Sequence, residues 1–402
     1  MAAMVVVGRA GDFYDFRFHI QGEGAMNPSI STGSCFSGTY AEARQKFVEA
    51  GMACGARARQ FILPDHRGVF GEPLSIDTAY IGPDQPRRLL IVSSGTHGVE
   101  GFCGSGCQVA VLHDTGLKDR LAQAGVGLLL IHAINPYGFS HLQRTNEDNI
   151  DVNRNFVDFD APLPPSPHYL EVESFVLPPQ WPPSGQDIER QQAFVRQHGE
   201  RGLRHAVSSG QRVSPQGLFY GGTAPSWSNR TVRAILREHG AAAQAIAWID
   251  IHTGLGPYGH GEKLYAGRND ARDIARARAC WGSDVFLTFS GNTDSVSVDV
   301  TGLVCSSLHD ECVQAEALLV GLEFGTLPFS AVQSALYHAA WIRAHGGKVD
   351  AATRAAAARV LRDAFYCDND VWKGMILGQA RVACLQVAQS LARFDTEHAA
   401  QP

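Results

Sequence analysis

The stretch Ser94-Gly95-Thr96-His97-Gly98-Val99-Glu100-Gly101 decides how this chain is read. The apolar run Leu89-Leu90-Ile91-Val92 before it reads as a buried strand. A turn of small residues then leads into a helix-compatible segment, residues 102–113. His97 and Glu100 stand three apart where that helix opens, and side chains at this spacing share a face and can converge on one ion. Imidazole and carboxylate are both ordinary zinc ligands. H-x-x-E alone is also what a buried His beside a surface Glu leaves behind. The pair therefore gains weight only from what else in the chain can join it.

Composition narrows the field. With 402 residues, 45% hydrophobic and 18% charged, the chain can bury a sizeable core. A net charge of −6 and the absence of a Lys/Arg-rich block exclude a generic nucleic-acid binder. The nine cysteines form no C-x-x-C pair, and Cys103 and Cys107, one helical turn apart, read as core rather than as a second metal site. Reduced thiols fit a cytoplasmic compartment. No long uncharged apolar run marks a membrane span, and Met4-Val5-Val6-Val7 is too short for a signal core.

Around the opening stretch, strands alternate with helices. Residues 39–51 carry a helical stripe (Tyr40, Ala43, Phe47, Val48), and 74–81 alternate as a strand does. Residues 88–93 form the next strand, and the nearly all-apolar 126–132 reads as a central strand covered on both faces. Residues 245–251 form a strand ending at His252; 262–266 and 285–289 are short strands around a helix at 271–281. Residues 318–324 form the last strand, and 330–394 are helical. The expectation is an α/β fold with a largely parallel central sheet covered by helices on both faces.

Residues 1–34 read as a loosely ordered extension, with Met26 as an alternative start, and 35–402 as one catalytic domain. The Pro-rich stretch 161–185 reads as an irregular insertion looped over the surface. Polar helices follow at 186–208 and 228–238, the second capped by Ser226 or Ser228.

Four polar clusters follow strand-like runs: His97/Glu100, the loop 144–154, His252 and Glu323. A covered sheet carries such strand ends to one rim. His252, flanked by Asp250, Thr253 and Gly254, supplies a third ligand and completes a two-His, one-carboxylate zinc set with a position left for water. Glu323 lies in an apolar run, where an unpaired carboxylate is costly, which favours a functional or paired role.

With these residues in place, the sequence resembles the zinc carboxypeptidase family, the carboxypeptidase A-like metallopeptidases, and in particular a bacterial branch of uncharacterised metallopeptidases. The deacylases aspartoacylase and succinylglutamate desuccinylase share that core. The resemblance runs from about Phe36 to the C-terminal helices. It is most specific in Asn135-Pro136-Tyr137-Gly138-Phe139, Arg144-Thr145-Asn146 and Asp151-Val152-Asn153-Arg154-Asn155, similar to the family's turn, lone Arg and D-x-N-R-N signature.

The resemblance implies a zinc carboxypeptidase-like mixed sheet and one Zn²⁺ per chain, held by His97, Glu100 and His252. It implies Glu323 as general base, Arg144 facing the carbonyl oxygen, and Asn153 and Arg154, with Arg144, on a substrate carboxylate. Asp151 would take the second N–H of His97. Asn146 and Asn155 receive no chemistry. The implied activity is hydrolysis of an amide in a small or peptide-like substrate with a free carboxylate; the alternative is N-acyl amino acid deacylation.

Larger family members place a mobile Tyr about two dozen residues before the catalytic Glu, and residues 290–303 contain none. By resemblance that polar zone lies near the substrate side-chain pocket, where Asp294 or Asp299 could select a basic group; a solvated loop is the alternative. The Pro-rich insertion could wall the cleft.

Overall fold

The apolar runs assemble into the middle of one mixed sheet. The computed structural model describes residues 31–289 and 298–394 and the backbone of 14–16. In chain order the strands are β1 (Tyr14–Phe16), β2 (Arg57–Arg67), β3 (Pro73–Ile81), β4 (Arg88–Ser93), β5 (Val126–His132), β6 (Ala245–Tyr258), β7 (Gly261–Tyr265), β8 (Val285–Phe286) and β9 (Glu316–Gly325). They lie side by side in the order β1-β2-β3-β5-β4-β6-β9-β7-β8. The centre β5-β4-β6-β9 is parallel. β3, β2 and β1 extend it antiparallel on one side; β7 joins antiparallel on the other and carries β8.

Helices fill the connections. They are α1 (Tyr40–Ala53), α2 (Gly101–His113), α3 (Thr115–Gln123), the single turn α4 (Pro136–Ser140), α5 (Tyr169–Val176), α6 (Gly185–Ser208) and α7 (Trp227–Gly240). After β7 come α8 (Ala271–Trp281), α9 (Leu308–Glu311), α10 (Phe329–Ala344), α11 (Ala351–Phe365) and α12 (Asp370–Ala392). Among the described residues no helix is long and apolar enough to cross a membrane.

Strand periodicity explains the layers, because successive side chains point to opposite faces. Leu90 and Val92 of β4 join Phe47 of α1, Cys103 and Cys107 of α2 and Ile376 of α12 in one core; Leu89 and Ile91 join Val232, Ile235 and Leu236 of α7 in the other. Cys103 and Cys107 are thus core residues, as their spacing suggested.

Two elements carried little signal. β2 is largely polar and buries only Phe61 and Leu63, and α3 is a short polar helix. The expected extension 1–34 is described only at β1, paired with β2, and at residues 31–34; the rest lies outside the described residues.

The stretch 161–185 departs from expectation. It holds helix α5, whose Tyr169, Val172, Phe175 and Val176 pack against Phe194, Leu203 and Val207 of α6 and Leu336, Tyr337 and Ala340 of α10. The prolines lie before residue 168 and after 177, so they bound this helix without entering its interior. Its buried face makes it a buttress between two helices, while residues 161–168 and 177–184 on either side are irregular, as expected.

The turn after β4 depends on glycine at two places. Gly95 adopts φ +64°, a left-handed conformation. Gly98 lies so close to α4 that an added Cβ would stand 2.0 Å from Gly138 C and 2.3 Å from Phe139 N. That approach lets Gly98 N and Val99 N donate to the carbonyls of Arg144 and Gln143, at 3.1 and 3.0 Å. Gly98→Ala should therefore destabilise the protein by roughly 1–3 kcal/mol or more, because the obstruction is backbone. A thermal melt that left Tm unchanged would show that the two turns do not depend on this contact.

Candidate metal centre

Each polar cluster occupies the rim formed by the carboxyl ends of the parallel strands. His97 and Glu100 follow β4, while His252 and Glu323 lie within β6 and β9. In the parallel register of these strands His252 is paired with Glu323, which sets the carboxylate beside the imidazole. The loop 144–154 is tied to the opening stretch through the Arg144 carbonyl, which also accepts from Asn135 Nδ2 at 3.1 Å. Asn135 Oδ1 in turn accepts from Gly138 N at 2.8 Å and caps α4. The Asn-Pro-Tyr-Gly-Phe motif therefore positions the arginine.

Glu100 is the hub. One carboxylate oxygen lies 2.8 Å from His97 Nδ1, and the other lies 2.9 Å from His252 Nδ1 and accepts from Thr253 N at 3.2 Å. Both Nδ1 atoms face Glu100, and both Nε2 atoms are backed by a carboxylate. Asp151 Oδ1 stands 3.2 Å from His97 Nε2, and Asp250 Oδ2 stands 2.6 Å from His252 Nε2. Asp250 is itself fixed by Ser93 Oγ at 2.6 Å and Thr96 Oγ1 at 2.9 Å, and Trp248 Nε1 donates to Ser93 Oγ at 2.7 Å.

Arg144 closes the other side. Its Nε donates to Asp151 Oδ2 at 3.0 Å and its Nη1 to Glu100 Oε1 at 3.3 Å, while Nη2 stands 2.7 Å from His97 Nε2. Arg144 and Asp151 thus compete for that ring nitrogen. When Nε2 carries the proton it donates to Asp151, and the Nδ1 lone pair then faces the centre.

Electrostatics favour a cation here. Glu100, Asp151, Asp250 and Glu323 are all buried, and the guanidinium groups of Arg144 and Arg154 are the fixed positive charges near them. Two negative charges remain uncompensated, which is costly away from water. Without a cation, protons take up the deficit. Burial and then the Glu100 charge push the Glu323 carboxyl up to about 8. Burial works against a charged His252, yet Asp250 and Glu100 raise it well above the ordinary imidazole range. Burial likewise opposes ionised Asp151, but Arg144 and His97 hold it well below the carboxylate range.

Three ligand atoms of His97, Glu100 and His252 lie within 4.8 Å of one another. Two imidazole nitrogens, each oriented by an outer carboxylate, and one carboxylate match the chemistry of a divalent-cation site.

The centre opens into a cleft enclosing about 1210 Å³ of empty space, part of it open solvent. Arg154 lines it; its Nε and Nη2 donate to Ser208 O at 3.0 and 2.8 Å, and Nη1 to Asn153 O at 2.9 Å. No carboxylate among the described residues forms an ion pair with it, and its fork retains donors for a ligand. Asn153 also lines the cleft, but its Oδ1 accepts from Val304 N at 2.8 Å, leaving only the amide nitrogen for a substrate. Asn146 and Asn155 bond to backbone groups of the surrounding loops.

Asp299 is exposed, whereas its neighbours Val298 and Val300 line the cleft. It does not furnish a pocket for a basic group there; Asp294 lies outside the described residues. Asp250 was the outer carboxylate the sequence reading left without a role. Its signal was the Asp-x-His spacing, which puts both side chains on one strand face.

Residues 36–379 match the family described as protein of unknown function DUF2817. The chain belongs to this family. No curated protein matches it. Among solved structures, it is similar to carboxypeptidase A from Helicoverpa armigera, at 15% identity and TM-score 0.44, over 82% of this chain and 76% of that one. It is also similar to thrombin activatable fibrinolysis inhibitor, at 12% identity and TM-score 0.48, over 88% and 74%. A third is a metallo-carboxypeptidase from Burkholderia cenocepacia, at 13% identity and TM-score 0.38, over 86% and 68%.

The raised Glu323 carboxyl makes a pH prediction. Its unfolded-state value is near 4.5 and its folded value about 8, so its contribution favours folding at low pH and is lost as pH rises through that window. In metal-free protein, Glu323→Gln should gain stability over wild type between pH 5 and 9, on the order of a few kcal/mol. A Tm difference independent of pH would contradict the buried, proton-holding carboxyl.

Proposed function

We propose that this chain is a zinc-dependent hydrolase of amide bonds in small or peptide-like substrates with a free carboxylate, of metallocarboxypeptidase type. The observation that carries the reading is the buried His97/Glu100/His252 donor set, with Glu323 next to His252 in the strand register and Arg154 lining the same cleft. Held by those three residues, Zn²⁺ supplies Lewis acidity, polarising a carbonyl and lowering the pKa of water toward neutrality.

The chain's own groups do the rest. Glu323 takes the proton of the attacking water and passes it to the leaving amine, a role suited to a carboxyl tuned upward. Arg144 donates to the oxygen on which negative charge develops. Asp151 and Asp250 keep the ring protons on Nε2 and the lone pairs on Nδ1. Arg154, with the Asn153 amide and Arg144, receives the substrate carboxylate, where the guanidinium fork matches two oxygens. Phe219 packs beneath both arginines, its ring centroid 5.0 Å from Arg144 Cζ and 5.6 Å from Arg154 Cζ, and keeps water from that side.

A second reading, an N-acyl amino acid deacylase, is favoured by the way α6 and α10 wall the cleft through Val207, Ser208, Phe329 and Tyr337. Such a wall suits small substrates. Dipeptides assayed against N-acetyl and N-succinyl amino acids, with and without chelator, separate the two readings. Hydrolysis of none of them by zinc-loaded protein would remove both.

Glu323→Gln should retain zinc by elemental analysis and lose about 10²–10⁴-fold in kcat. Loss of the metal together with the activity would make Glu323 a structural residue instead. Asp250→Asn should weaken zinc affinity about 10–100-fold in a competition titration, and His252→Ala should abolish it. Unchanged affinity in both would show that this set does not hold the cation.

A further inference from the structure

One more arginine lines the cleft. Arg204, on α6, is half-buried, with its Nε fully enclosed and without a hydrogen-bond partner. Among the described residues its other donors make no bond to a protein group, and no carboxylate forms an ion pair with it. Its guanidinium lies over Phe329, Cζ 5.9 Å from the ring centroid. An enclosed N–H donor with nothing to donate to is costly, unless a ligand supplies the acceptor.

Its position relative to Arg154 defines the ligand. Ser208 Oγ donates to the Arg204 carbonyl at 2.7 Å, so the two residues sit one turn apart on the same face of α6. The Ser208 carbonyl is the acceptor that holds the Arg154 guanidinium. Two cations that form no ion pair with a carboxylate among the described residues therefore stand along one wall, joined through the last turn of α6. Leu264, Val298, Val300 and Leu303, which also line the cleft, are apolar.

We propose that the cleft takes substrates with two acidic groups, one on Arg154 and the second on Arg204. This rests on the hydrolase reading above and adds the substrate class to it. The second acid could belong to the amino acid or to the acyl group, and matched pairs separate these sources. N-acetyl-glutamate against N-acetyl-alanine places it on the amino acid; N-succinyl-alanine against N-acetyl-alanine places it on the acyl side.

With zinc-loaded full-length protein, one diacid should exceed its monoacid partner in kcat/KM. Arg204→Gln should lower kcat/KM for that diacid by about 10- to 100-fold and leave the monoacid nearly unchanged. Arg204→Lys should recover part of the loss. Equal losses on diacid and monoacid, or no diacid preference in wild type, would overturn the proposal while leaving the hydrolase reading intact. Calorimetric binding of glutarate against butyrate supplies a readout without turnover. Arg204-dependent glutarate binding in protein that hydrolyses no amide would support the two-acid site and end the hydrolase reading. Absence of both hydrolysis and glutarate binding would end both.

Discussion

Four carboxylates packed out of water around two histidines cannot all keep their charge unless positive charge stands among them. That constraint organises this molecule. Arg144 and Arg154 answer half of it, and the remainder either draws in protons, as at Glu323 and His252, or calls for a divalent cation. A buried acid–base cluster of this kind destabilises a fold by itself, which is why the surrounding framework is so heavily hydrogen-bonded. Ser93 and Thr96 hold Asp250 and, through it, His252, and Trp248 fixes Ser93 from the core.

The framework that bears this cost is the parallel centre of the sheet. Parallel strands bring their carboxyl ends to one rim, so residues as far apart as Ser93 and Asp250 become neighbours by register. Glu323 is beside His252 because β9 pairs in parallel with β6, and Ser93 reaches Asp250 because β4 pairs with β6. The Asn135 turn and the Asn residues of the following loop add the last constraint. They use side-chain amides to satisfy backbone groups in a buried loop, which lets Arg144 and Asp151 enter the site at fixed positions.

The region between Asn155 and α7 gives the cleft its individual shape. Helix α5 locks α6 against α10, and α6 then presents both the carbonyl that seats Arg154 and the Arg204 side chain that lines the cleft. The framework places the reactive groups, whereas this buttress determines how much room and how much positive charge surround them.

The sequence alone made the central strands and most helices legible, because their apolar periodicities are long and unbroken. It also marked His97, Glu100, His252 and Glu323 as candidates, since polar groups at the ends of apolar runs are costly without a purpose. Local pattern could not show β2 or α3, whose polar faces resemble loops, nor helix α5, hidden between two proline clusters. Asp250 carried only its Asp-x-His spacing and Arg204 no signal at all, because their meaning lies in their surroundings: the first needs the imidazole two residues on along a strand, the second an enclosed place in the cleft wall. Partnership across strands and helices is set by folding, so only the tertiary structure decided which charges are compensated and which are left open to a ligand.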